Sequence, residues 1–196
     1  MMALNIATLG HFDWASKVAP APYSIFNHDL SDAVGVGSNQ FQTHEPNDKR
    51  NLSADDLGRA ILVFDALSKE QDDQVVPEYL KGIFHLGLTF FELTFRKDAF
   101  ANFYRSLEHF LTGRVLGGKK IKNEVKEFTG AMRTLEVSEE VIQNFSKRLY
   151  PLRCEQVMHS QKSQREIEMD DVLHIKILTD AVMSRVYKPL WETERR

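Results

Sequence analysis

Asp98-Ala-Phe-Ala-Asn-Phe-Tyr-Arg-Ser-Leu-Glu108-His-Phe-Leu111 sets Phe100, Phe103, Tyr104, Leu107, Phe110 and Leu111 at steps of three and four. An α-helix turns once in 3.6 residues, so these side chains form one apolar face, whereas a strand would alternate with period two. The spacing predicts a helix over residues 98–115, with Gly117-Gly118 ending it because glycine accepts the left-handed backbone of a helix C-terminus.

The same reading extends in both directions. Ser53 is suited to cap a helix whose first turn holds Asp55 and Asp56, with Ala60, Ile61, Phe64 and Leu67 as its apolar face. A second helix is expected to begin at Pro77 and to run, largely buried, through Leu80, Ile83, Phe84, Leu88, Phe91 and Phe95. A fourth, over 121–135, has a basic opening in Lys119, Lys120, Lys122 and Lys126. Ser138 with Glu139 and Glu140 opens a fifth, whose face is Val141, Ile142, Phe145 and Leu149. Pro151 interrupts that register, either as a kink or as the first turn of a new helix. Residues 161–168 read as a polar loop, and Asp170 opens a last helix through Val172, Ile175, Leu178, Val182 and Val186, ended by Pro189. The fold class is all-α, with no internal repeat and no Gly-rich phosphate loop.

Residues 1–52 read differently. Pro20, Pro22, Pro46, Gly35 and Gly37 break any sustained period, which predicts an irregular N-terminal arm packed on a helical domain over 53–196, with short extended pieces near Tyr23 to Phe26. A length of 196 residues suits one compact domain with such an extension. A net charge of −3 and a pI near 6.2 exclude a broad basic field, so any contact with nucleic acid must be local.

Cys154 is the one cysteine, so an intrachain disulfide is excluded. The first residues lack the positive start of a secretion signal. The most apolar stretch, residues 83–95, is interrupted by His85 and Glu92 and is too short for a membrane span. A cytoplasmic protein without membrane contact is the expectation.

Leu149-Tyr-Pro-Leu-Arg153-Cys-Glu-Gln-Val-Met-His159 carries the candidate chemistry. Arginine offers a permanently charged planar fork for a phosphate, and histidine gives or takes a proton near neutral pH. On an ideal helix the two would sit about 120° and about 9 Å apart, so a shared site needs a frayed helix or a second chain brought across a two-fold axis. The plain alternative pairs Arg153 with a carboxylate such as Glu155 or Glu108 and leaves His159 as a helix terminator. Glu108 likewise has two readings: a catalytic one, in which it orients Arg153 or takes part in proton transfer, and a plain one as a solvent-facing helix carboxylate.

These two stretches, Tyr104-Arg-Ser-Leu-Glu108-His-Phe-Leu111 and Leu149 to His159, resemble the HEPN family of helical nucleic-acid-processing proteins over about residues 98–189. The resemblance implies an antiparallel helical bundle, a homodimer, and metal-independent endoribonuclease activity on RNA. It implies catalytic roles for Arg153 and His159, with Glu108 at a polar position of the first bundle helix. Cys154 departs from the polar residue usual after the motif arginine, and a thiol is a weak donor. A non-catalytic interaction or RNA-binding module of the same fold is therefore the alternative, and an antitoxin or other protein is an expected partner. Lys119, Lys120, Lys122 and Lys126, with Lys147 and Arg148, are candidates to track a phosphate backbone or are solubilising surface charges. No cofactor is expected and no metal site is read, since His85, His109 and His174 lack zinc-ligand spacing.

Overall fold

A computed structural model describes residues 1–9, 14–15, 23–24, 52–69, 74–88, 95–158 and 165–192 of the chain. Its elements are α1 (Met2–Thr8), β1 (Trp14–Ala15), β2 (Tyr23–Ser24), α2 (Ala54–Ser68), α3 (Val75–Leu88), α4 (Phe95–Phe110), α5 (Glu124–Thr134), α6 (Glu139–Asn144), α7 (Tyr150–Leu152) and α8 (Met169–Glu192). The fold is all-α apart from the short antiparallel pairing of β1 with β2. No helix among the described residues is long and apolar enough to cross a membrane.

Local chemistry explains most element ends. Ser53 accepts from the backbone of Asp56, and the Asp56 carboxylate accepts from Ser53 in return, closing a capping box on α2. Gly117 and Gly118, both at positive φ, end the helical run that began with α4, after its last five residues, Leu111–Val115, widen into a π turn. The helix expected over 121–135 starts at Glu124, because Asn123 caps it through Lys126.

Residues 139–158 form one helical run through Pro151, so no new helix starts there. Proline lacks a backbone donor and its ring crowds the carbonyl four residues back. Wider π turns on each side, Phe145–Leu149 and Arg153–Met158, accompany it. Pro189 does not end the last helix either: α8 continues to Glu192.

Three further expectations change. The N-terminal arm is not irregular from its first residue, since α1 is helical and buries Met2, Leu4, Asn5 and Ile6; most of residues 10–51 lie outside the described residues. Phe95 belongs to the start of α4 instead of extending α3, and Phe91 lies outside the described residues. On α2 the buried face is Ala60, Val63 and Leu67, while Ile61 and Phe64 are each 66% exposed.

Pairings across the core give its topology. From α3 to α4, Ser106 donates to the Val75 carbonyl, Tyr79 meets Phe103 edge-on, and His85 stacks on Phe95, so the numbers fall as they rise and the two helices are antiparallel. Between α4 and α8, Phe103 pairs with Thr179 and Phe110 with Tyr187, so these two run in the same sense. The bundle is therefore not antiparallel throughout. Phe103, Leu107, Phe110, Phe145, Leu149, Ile175, Leu178 and Val182 are all buried, as their helical spacing predicts. At Gly82 a Cβ would stand 2.8 Å from the Phe103 ring, so α3 and α4 need glycine to approach as they do.

Candidate functional site

Arg153 opens the π turn that follows Pro151, and its guanidinium reaches back across the bundle. Nη2 lies 3.3 Å from Glu108 Oε2 on the last turn of α4, and Nη1 lies 3.4 Å from Glu124 Oε2 at the start of α5. The guanidinium carbon sits 5.2 Å from the centre of the Tyr104 ring, within cation–π range. Tyr104 in turn donates a 2.7 Å hydrogen bond to Glu124 Oε1. Four residues from three separate helical segments thus converge.

Their titration follows from that geometry. Burial opposes the charge on Arg153, but Glu124 and Glu108 outweigh it and hold the guanidinium pKa above its ordinary value. Burial first, and then the Glu124 carboxylate, push the Tyr104 phenol well above the ordinary tyrosine range. Tyr150 is raised in the same direction, by burial and by a hydrogen bond with Cys154. Cys154 therefore takes part in the cluster's bonding despite its weak polarity.

A cleft of about 500 Å³ opens beside the cluster, walled by Glu108, Lys122, Glu124, Phe128 and Tyr150. The Arg153 side chain, 15% exposed, touches two of these walls through its carboxylate partners. Lys122 is positioned because Glu127 accepts from the backbone amides of Lys122 and Asn123, which also hold the Glu127 carboxyl below its usual range. Lys122 also borders a second groove with Lys126, Leu116 and Thr134. Lys119 and Lys120 are exposed on the connection after Gly118 and border neither cleft.

The structure thus brings together Arg153, Glu108 and Lys122 of the residues singled out from sequence and places Lys126 in the adjoining groove. His159 lies outside the described residues. Glu124 and Tyr104 were missed as partners of Arg153. Glu124 reads locally as one more acid in a helix first turn, and Tyr104 as one more core aromatic. Among the described residues, no group of three or more His, Cys, Asp or Glu side chains could hold a metal ion. Comparison with family models, with curated proteins and with solved structures returns no match to this chain.

Proposed function

We propose that this chain is a metal-independent endoribonuclease of HEPN type in which Arg153 holds the scissile phosphate and His159 transfers the proton. One observation supports this reading above the others: the Glu108–Arg153 ion pair joins, across 45 residues, the two stretches that carry the family resemblance. In the proposed reaction the ribose 2′-hydroxyl attacks the adjacent phosphate and the 5′-oxygen leaves. His159 assists one of those proton transfers, Arg153 neutralises the charge that builds on the phosphoryl oxygens, and a 2′,3′-cyclic phosphate and a 5′-hydroxyl result. Lys122, on a wall of the same cleft, would in this reading take a further phosphate of the strand.

The two carboxylates set the condition for activity. With Arg153, Glu108 and Glu124 all ionised, the cluster carries one net negative charge, and an incoming phosphate must displace a carboxylate. Glu108 is the one to yield, because its side chain is 35% exposed while that of Glu124 is 17% exposed and held by Tyr104. A homodimer that completes the cleft with a second Arg153–His159 pair, and an antitoxin that covers it, belong to the same proposal.

The alternative, a non-catalytic RNA- or protein-binding module, is favoured by that same double pairing, which satisfies Arg153 without a ligand. Incubation of single-stranded RNA with the purified chain and a chelator separates the two. Cleavage by the wild type that is lost in both His159→Ala and Arg153→Lys, with melting temperatures preserved, supports the nuclease. RNA left intact by wild type, or cut equally by all three, supports the binding module.

A further inference from the structure

The second groove, which shares Lys122 and Asn123 with the Arg153 cleft, encloses about 630 Å³. Lys126, Gly130 and Thr134 line it at steps of four on α5, so it follows one face of that helix for about 12 Å. Val115 and Leu116, both half-buried, and the buried Ala131 give it an aliphatic lining. Nothing lies within 4 Å of a Cβ added to Gly130, so the middle of the α5 row is open space. One end is positive, because Lys119, Lys120, Lys122 and Lys126 are all exposed around the start of α5. A helix N-terminus already carries partial positive charge, so lysines gathered there oppose the dipole instead of complementing it. The acids nearby are engaged: Glu124 with Arg153 and Tyr104, and Glu127, which lines the groove, with the backbone amides of Lys122 and Asn123. Glu127 offsets one of the lysines and the rest remain in surplus.

We infer that this groove docks an acidic amphipathic helix of a partner protein, whose aliphatic side chains lie against Val115, Leu116 and Ala131 and whose carboxylates meet the lysines. Anchors at i, i+4 and i+7 on such a helix span about 10 Å, which the length of the groove accommodates. With no side chain at Gly130, the partner can approach α5 closely at the middle of that span. A nucleic-acid strand is a poorer fit, because unpaired bases are held by stacking on aromatic rings and, among the described residues, no aromatic side chain lines this groove. The site is separate from the RNA chemistry proposed above and does not depend on it.

A synthetic peptide of about 20 residues, long enough to hold a helix, tests this on the full chain by fluorescence anisotropy. It carries leucines at i, i+4 and i+7 and a glutamate-rich turn at one end, and it is compared with a copy in which lysine replaces glutamate and with oligouridylate. Gly130→Leu fills the groove while replacing glycine by a better helix former, and Lys126→Gln removes one charge; thermal melts check that both variants fold. The glutamate peptide should bind wild type, about tenfold more weakly Gly130→Leu and about threefold more weakly Lys126→Gln, and high salt should weaken it throughout. No binding of the glutamate peptide by wild type, equal binding of the lysine copy, or equal binding by Gly130→Leu would each overturn the proposal. Oligouridylate that displaces the peptide from wild type and no longer binds Gly130→Leu would make the groove a nucleic-acid site and overturn it as well. RNA cleavage retained in a Gly130→Leu chain that has lost the peptide would support the groove as a site of its own.

Discussion

Tyr79 and Asp180, 101 residues apart in the chain, share a 2.5 Å hydrogen bond in the buried contact between α3 and α8. Lys176, one turn before Asp180 and itself buried, closes the group at 2.6 Å from the other carboxylate oxygen, and Tyr79 also hydrogen-bonds with Asn5 of α1. The group ties α1, α3 and α8 together, and the opposite charges on Lys176 and Asp180 make its burial tolerable.

Removing one charge alone should be severe. Lys176→Ala leaves Asp180 buried without its cation and should cost about 3 to 5 kcal/mol in urea unfolding. Lys176→Met combined with Asp180→Leu should be more stable than the single variant, because the pair of substitutions leaves no unpaired buried charge. A double variant no better than Lys176→Ala would show that packing, not charge, dominates here.

Alkaline pH should unfold the protein through its buried phenols. Burial raises the pKa of both Tyr79 and Tyr104, with Asp180 and Glu124 adding to the effect. A pKa raised in the folded state gives stability that is complete below the ordinary tyrosine value of about 10 and is lost as the pH rises toward the folded value. Melting temperatures at about pH 9 and about pH 11 should therefore diverge more in wild type than in Tyr104→Phe. Equal divergence would count against the phenol as the source.

Acid should loosen the contact between α3 and α4. Asn102 Nδ2 lies 2.7 Å from the Asp98 carbonyl and 2.8 Å from His85 Nδ1, so Nδ1 accepts and the imidazole is neutral. Burial lowers the His85 pKa against the opposing pull of Asp98 and Glu78, while Lys81 adds to the lowering. The contribution of the neutral ring is complete above about pH 6.5 and is lost as the pH falls through the folded value below it. His85→Gln should flatten the decline in melting temperature between about pH 7 and about pH 5, and an unchanged decline would remove His85 from the account.

Two helical glycines should respond to alanine with opposite signs. Gly58 lies on the exposed side of α2 with nothing within 4 Å of an added Cβ, so Gly58→Ala should stabilise by about 1 kcal/mol. Gly82→Ala would drive a methyl into the Phe103 ring at 2.8 Å and should destabilise by about 1 to 3 kcal/mol. Denaturant midpoints measured side by side would expose an error in either sign.

Arg153→Ala should lower stability as well as any activity. It strands Glu108 and Glu124 together and removes the cation from the Tyr104 ring, at a cost of about 2 to 3 kcal/mol. Arg153→Lys should cost less than half of that, and for this reason it is the variant for the cleavage assay. An alanine variant as stable as wild type would mean that the two acids find other partners.

The sequence by itself determined the all-α character, the residues that fill the core between α4 and α8, the helix start at Ser53 and the stop at Gly117-Gly118. Those properties depend on 3.6-residue periodicity and on the local chemistry of helix ends, which act within a few residues. Which face of α2 turns inward was decided elsewhere. Ala60, Val63 and Leu67 form one apolar row and Leu57, Ile61 and Phe64 another, and packing against α1 and α8 buries only the first. The same holds for the polar clusters. Nothing near Glu124 in the chain marks it as a partner of Arg153, and nothing near Asp171 points to Arg148, because an ion pair is made by the distance between two charges in the folded chain and not by their separation along it. Tertiary packing alone set those distances, and it also ran α8 in the same sense as α4.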